Sequence, residues 1–256
     1  MRYAVMSDVH SNPVALRTVL ADAREQDVDK TISCGDVTGY GYDVQGTVRL
    51  LKANVQVHLM GNHDRACLAA RDAGETAGNN NYDVDRRQRG LLSPVDYAWL
   101  KRCPYVHAEA GFACAHGDFT TPELFNYVMD GRDAIPSFEC REEPLLFVGH
   151  THAAEIYALR PDNVVETWGP RSFDLRPGWR YLVNVGSVGN PRFDYRTTYF
   201  IYDDAAKRVY FRALQFDVKS YVDGLMQRMV PMPEWLSDLM LRFRRMKKNP
   251  SSRRRG

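Results

Sequence analysis

The chain has 256 residues, 44% hydrophobic and 26% charged, enough for a sizeable core that needs neither disulfides nor a structural metal. No apolar run approaches the ~18 residues of a membrane helix, and Met1 to Asp8 reach a carboxylate too early for a signal peptide. The net charge of +2 conceals an asymmetry: eight of the 34 bases fall in residues 242–256, leaving 26 against 32 acids, a body of −6 and a tail of +8. The body thus has no character of a nucleic-acid surface, and any polyanion contact is confined to the tail.

In chain order, Arg2–Met6 reads as a strand, and Asn12-Pro13 opens a helix with a cap residue and a first-turn proline. Ala15, Leu16, Val19, Leu20 and Ala23 give that helix one apolar face. Thr31–Cys34 and Val55–Met60 are further strands around a helix over Val44–Lys52, an order that argues for a parallel sheet. Residues 65–90 read as irregular and polar, and Ser93-Pro94 starts a short helix through Leu100. The chain then turns strand-rich: Tyr105–Ala108, Phe112–Ala115, Leu145–Val148, Glu155–Leu159, Val164–Trp168 and Tyr181–Val185. A hairpin is expected from Thr197–Tyr202 to Val209–Leu214, and helices over Ser220–Met229 and Glu234–Met246. The expected fold is one α/β domain with two sheets. The five scattered cysteines, with no C-x-x-C pair, predict reduced thiols, no cysteine-bound zinc and a cytoplasmic protein.

The chemistry is signalled by where histidine and aspartate fall. Asp8 and His10 follow the first strand, Gly35-Asp36 the second and Gly61-Asn62-His63-Asp64 the third. Ala115-His116-Gly117 and Gly149-His150-Thr151-His152 end two more. Open α/β sheets bind ligands beyond the carboxyl ends of their strands, and glycine lets backbone crowd a small site. A lone aspartate after a strand is usually a turn residue; five such clusters in order are not so easily dismissed. His58 and His107 lie inside strand runs with no carboxylate or glycine partner and are assigned to packing or the sheet surface.

The order D-x-H, G-D, G-N-H-D, H, G-H-x-H resembles the calcineurin-like metallophosphoesterase family. Ser7–Asn12 and the stretch Asn184–Arg192 look like its small bacterial and archaeal phosphodiesterase branch. The resemblance implies two packed mixed β-sheets flanked by helices, one domain over 1–241; the basic run over 242–256 reads from its composition as a disordered tail. The resemblance also implies two divalent transition-metal ions, from among Mn, Fe, Zn, Co and Ni. Carried over by position, Asp8, His10 and His152 would hold one ion and Asn62, His116 and His150 the other. Asp36 would bridge both, and His63, held by Asp64, would act as general acid. The implied reaction is attack of a dimetal-bound hydroxide on a small, possibly nucleotide-derived phosphate ester.

The text Gly35-Asp36-Val37-Thr38-Gly39-Tyr40 and the closing Asp64 depart from the family's protein phosphatases, which carry Asp-Arg and a glutamate there. Dinucleoside-tetraphosphate hydrolases also place an arginine near this point. Arg192 is a candidate for gripping a substrate phosphate; the other reading is a surface arginine supporting its turn. Tyr40 and Tyr42 read as core or rim residues. Two other functions are weighed: a non-catalytic interaction module on the same fold, as in a retromer subunit, and a nuclease guided by the basic tail. All seven ligand positions are filled, which argues against the first, and the negative body argues against the second.

Overall fold

A computed structural model describes residues 1–69, 80–109, 111–192 and 195–239; for 80–83, 85 and 86 it gives the helical path alone. The first part runs β1 (Arg2–Met6), α1 (Pro13–Glu25), β2 (Lys30–Ser33), α2 (Val44–Asn54), β3 (Val57–His58), α3 (Asn62–Ala69), α4 (Asn80–Leu91) and α5 (Pro94–Leu100). There follow β4 (Val106–Glu109), β5 (Phe112–Ala115), α6 (Gly131–Cys140), β6 (Leu145–Val148), β7 (Ala154–Leu159) and β8 (Val165–Trp168). The chain continues through β9 (Phe173–Asp174), β10 (Arg180–Val185), β11 (Thr197–Asp203), β12 (Arg208–Leu214) and α7 (Val218–Gln227).

Two six-stranded mixed sheets result, in the orders β3-β2-β1-β11-β12-β9 and β4-β5-β6-β10-β7-β8. Strands β1, β2 and β3 are parallel, as are β5, β6 and β10, so their carboxyl ends gather at one side. Alternation along β1 explains the layering. Tyr3 and Val5 enter the core between the sheets with Phe112, Phe147 and Tyr181, while Ala4 and Met6 face α1 and α2. A third cluster packs the outer face of the second sheet against α6. The result is the expected helix–sheet–sheet–helix sandwich.

Helix α1 starts as the sequence implies: Asn12 Oδ1 accepts from the Ala15 amide at 3.0 Å and Pro13 occupies the first turn. Its five predicted apolar residues are all buried. Three expectations are corrected. Residues 65–69 and 80–90 are helical, in α3 and α4, where an irregular stretch was expected; 70–79 lie outside the described residues. The signal was hidden because α4 docks partly through Gln88, a buried amide that bonds Ser11, Gly39 and Gly41. Strand β3 is two residues long, not six. Helix α6, which carries Pro136 in its interior, has no counterpart in the sequence reading. The last expected helix is present over residues 234–239; its remainder and the basic tail lie outside the described residues. Among the described residues no helix is long and apolar enough to cross a membrane.

Candidate metal centre

The loops after β1, β2, β3, β5 and β6 converge. Asp8, His10 and His152 place one ligand atom each within 4.8 Å of one another, and so do Asp36, His116 and His150, and His10, Asp36 and His63. Asn62 joins this set through its Oδ1, 3.0 Å from His116 Nε2. All seven expected ligands therefore meet in one place, with His63 beside them.

The backbone is bent to achieve this. Asp8, His10, Asp36, His150 and His152 have φ of 57°, 47°, 57°, 70° and 62°. Residues other than glycine rarely occupy this left-handed region, and such strain gathers where a site over-determines it. Glycine matters most at two points. A Cβ on Gly61 would lie 2.1 Å from Asp36 Oδ1, and one on Gly149 would lie 2.1 Å from Ser7 Oγ and 2.5 Å from Asp8 Oδ2.

Whether these residues suit cations follows from their hydrogen bonds. His10, His116 and His152 each donate Nδ1–H to a backbone carbonyl, of Thr38, Cys34 and Asn190, at 2.8, 2.9 and 2.8 Å. A carbonyl only accepts, so the inward-facing nitrogen of each ring is Nε2, the atom that ligates once it carries no proton. The Nε2 atoms of His10 and His152 face each other at 3.0 Å, a spacing that a shared proton or a bound cation satisfies.

The carboxylates divide their labour the same way. Asp8 Oδ2 accepts from the His150 amide at 3.0 Å, and Asp36 Oδ1 from the His63 amide at 2.9 Å. Asp8 Oδ1 and Asp36 Oδ2 are buried with no hydrogen-bond partner. Asp8 Oδ1 lies 3.2 Å from His152 Nε2 and 3.6 Å from His10 Nε2. Asp36 Oδ2 lies 3.4 Å from His116 Nε2 and 3.8 Å from His10 Nε2. Two buried anionic oxygens ringed by imidazole nitrogens and an amide oxygen form a donor set that fits borderline transition metals.

Electrostatics agree. Burial works to raise both carboxyls, but the imidazoles facing them, His152 and His10 at Asp8 and His116 at Asp36, hold both well below the usual range. Burial pulls His150 down to about 3, which keeps it neutral and able to ligate. His116 is opposite: burial is outweighed by Asp36, and its pKa rises to about 9. Cation binding at neutral pH must displace that proton. Mn²⁺ affinity should therefore weaken as pH falls, and titration calorimetry in buffers of different ionisation heat should register proton release. A buffer-independent heat would contradict this.

Asp64 departs from its expected role. The sequence reading gives its carboxylate to the His63 ring; the structure gives its oxygens to other donors. They accept from the amides of Asp36 (2.8 Å), Thr38 (3.0 Å) and Gly61 (3.2 Å) and from the Thr38 hydroxyl (3.0 Å). His58 Nε2 stands 3.1 Å away, its Nδ1 3.0 Å from Ser33 Oγ and its ring stacked on Trp99. His58 thus has a carboxylate partner after all, as does His107 with Glu109 at 2.9 Å.

Residues the sequence reading missed include Gln88, His58 and Tyr127, whose ring stacks on His150 at 3.8 Å. A histidine three residues before G-N-H-D was a usable signal for one of them; the other two had none. The Asn184–Asn190 stretch clamps two ligand loops. Asn184 Nδ2 donates to Gly149 O, Ser187 Oγ donates to Asp8 O, and Asn190 O receives His152. Arg192 is exposed and lies against the Tyr40 hydroxyl, while Tyr40 sits edge-on to His10 at 4.7 Å. Tyr42 packs on Tyr221 at 5.8 Å, away from the ligands.

Comparison with known families settles the class. The chain belongs to the calcineurin-like phosphoesterase superfamily, whose domain matches residues 1–207. A metallophosphoesterase from Sphaerobacter thermophilus of known crystal structure is 30% identical, with a TM-score of 0.78, covering 90% of this chain and 95% of that one. A hypothetical protein from Pyrococcus horikoshii shares the fold at 15% identity, with a TM-score of 0.71 and coverage of 90% and 94%. An uncharacterized protein from Methanocaldococcus jannaschii is 25% identical over 249 residues, 92% of this chain and 95% of that protein.

Proposed function

We propose that the chain is a cytoplasmic hydrolase of small phosphate esters that works with two divalent transition-metal ions. The observation that carries this reading is the pair of buried, unpartnered oxygens, Asp8 Oδ1 and Asp36 Oδ2, each faced by imidazole Nε2 atoms. Asp8, His10 and His152 would hold one ion, Asn62, His116 and His150 the other, and Asp36 both. When bound, such a pair supplies an activated water and neutralises the charge on phosphoryl oxygens. The chain's own residues do the rest. The carbonyls of Thr38, Cys34 and Asn190 fix the ring orientations and tautomers. The amides of His150 and His63 hold the two carboxylates so that one oxygen of each points inward.

His63 is the residue we assign to proton transfer, a reading its position supports. Its ring lies 5.1 Å from that of His10 and 4.8 Å from Tyr40, at the rim of the ligand set and half-buried. An alkoxide leaving group is strongly basic and needs a proton as the P–O bond breaks, which a positioned acid supplies for a gain of about 10²–10⁴-fold. A nitrophenolate needs it far less. His63→Ala should therefore keep both metals and lose much more rate on alkyl or nucleoside esters than on nitrophenyl esters. Equal losses on both would make His63 a shaping residue, and loss of a metal would make it a ligand.

A further inference from the structure

The core between the sheets ends in a pocket of about 180 Å³ immediately beyond His152. Its walls include Ala153, Ala154, Pro170, Pro191 and Phe211, and two arginines, Arg192 and Arg196, also line it. Apolar cavities of about 150 Å³ hold a benzene ring, so this pocket has room for one ring and little more. Its two hydroxyls are already committed: Ser187 Oγ donates to Asp8 O at 2.9 Å and Thr198 Oγ1 to Val185 O at 3.0 Å. A guest there is held by shape and apolar contact, not by hydroxyl donors. Arg192 spans the gap between this pocket and the metal centre, since its guanidinium reaches the Tyr40 hydroxyl and Tyr40 contacts His10 and His63.

From this juxtaposition we infer that the pocket receives a ring-bearing substituent of the substrate, with Arg192 gripping a phosphoryl oxygen between ring and metals. The favoured substrate is thus a phosphate ester carrying one compact ring, aryl or nucleobase. A phosphomonoester with a short polar chain leaves the apolar walls wet. The inference rests on the phosphoesterase reading of the same site and sharpens it.

Non-hydrolysable probes test it without turnover. Phenylphosphonate should bind the Mn²⁺-loaded protein at least tenfold more tightly than methylphosphonate, because the ring removes apolar surface from water. Ala154→Leu, which fills the pocket, should erase most of that ratio, as should Phe211→Ser, which opens its wall; thermal melts select whichever variant folds. Arg192→Gln should weaken both phosphonates. In turnover, p-nitrophenyl phenyl phosphate and thymidine 5′-(p-nitrophenyl) phosphate should exceed p-nitrophenyl methyl phosphate in kcat/KM by a similar factor. Whichever of the two is faster separates a simple aryl group from a nucleoside. Discrimination between phosphonates without hydrolysis of any ester would overturn the enzymatic reading and leave the pocket standing. Hydrolysis of all esters with equal phosphonate binding would overturn the pocket.

Discussion

Replacing Asp36 with alanine should release both cations and lower turnover by at least the order of 10³ that losing one electrostatic stabiliser costs. Asp36 belongs to two of the three donor groups, as does His10, and its Oδ2 is the oxygen that both His10 and His116 approach. Two divalent ions close enough to share a ligand repel strongly, and an anion between them is what offsets that repulsion. Asp36→Asn is the sharper version. It keeps an oxygen for the His63 amide and nearly the same volume but removes the charge. Metal content should fall while the metal-free protein keeps its melting temperature within a few degrees. Retention of two ions in Asp36→Asn would contradict the bridging role.

Asp64→Ala should destabilise the protein by about 3–5 kcal/mol, the range for breaking a buried charge network by removing one partner. Asp64 is fully buried, and three amides, a hydroxyl and the His58 ring converge on it. Those amides belong to Asp36, Thr38 and Gly61, so the carboxylate ties the turn after β2 to the turn after β3. Asp64→Asn should fare little better, because its NH₂ group would face donors where only an acceptor fits. The loss should therefore fall equally on nitrophenyl and alkyl esters and should track metal affinity. His58→Ala should show a milder form, on the order of 1–3 kcal/mol, by leaving one side of Asp64 unpartnered. Denaturant unfolding with Mn²⁺ titration of each variant measures both effects. An unchanged stability with a rate loss confined to alkyl esters would return Asp64 to the service of His63.

These two aspartates also mark what a sequence can convey. Asp36's place among the converging donor atoms was legible because it stands at a strand end, and strand ends follow from hydrophobic runs and glycine. The sheets were legible for the same reason: β1, β2, β5, β6 and β10 are fully or nearly fully buried runs. Asp64 was misread because its partners lie up to 28 residues away, and nothing local distinguishes a carboxylate aimed at a neighbouring ring from one aimed at distant amides. Helix α4 was missed because part of its docking runs through the Gln88 amide, which leaves no apolar periodicity there. The pocket beyond His152 draws its walls from β7, β11, β12 and three loops and has no linear signature at all.

The central claim is that seven residues from five strand-end loops hold two transition-metal ions around Asp36. Anomalous diffraction from crystals of the Mn²⁺-saturated protein, paired with metal analysis of the same sample, tests it most directly. The account predicts two anomalous peaks, one among Asp8, His10 and His152 and one among Asn62, His116 and His150, both in contact with Asp36. A single peak, or two of which neither touches Asp36, would contradict it.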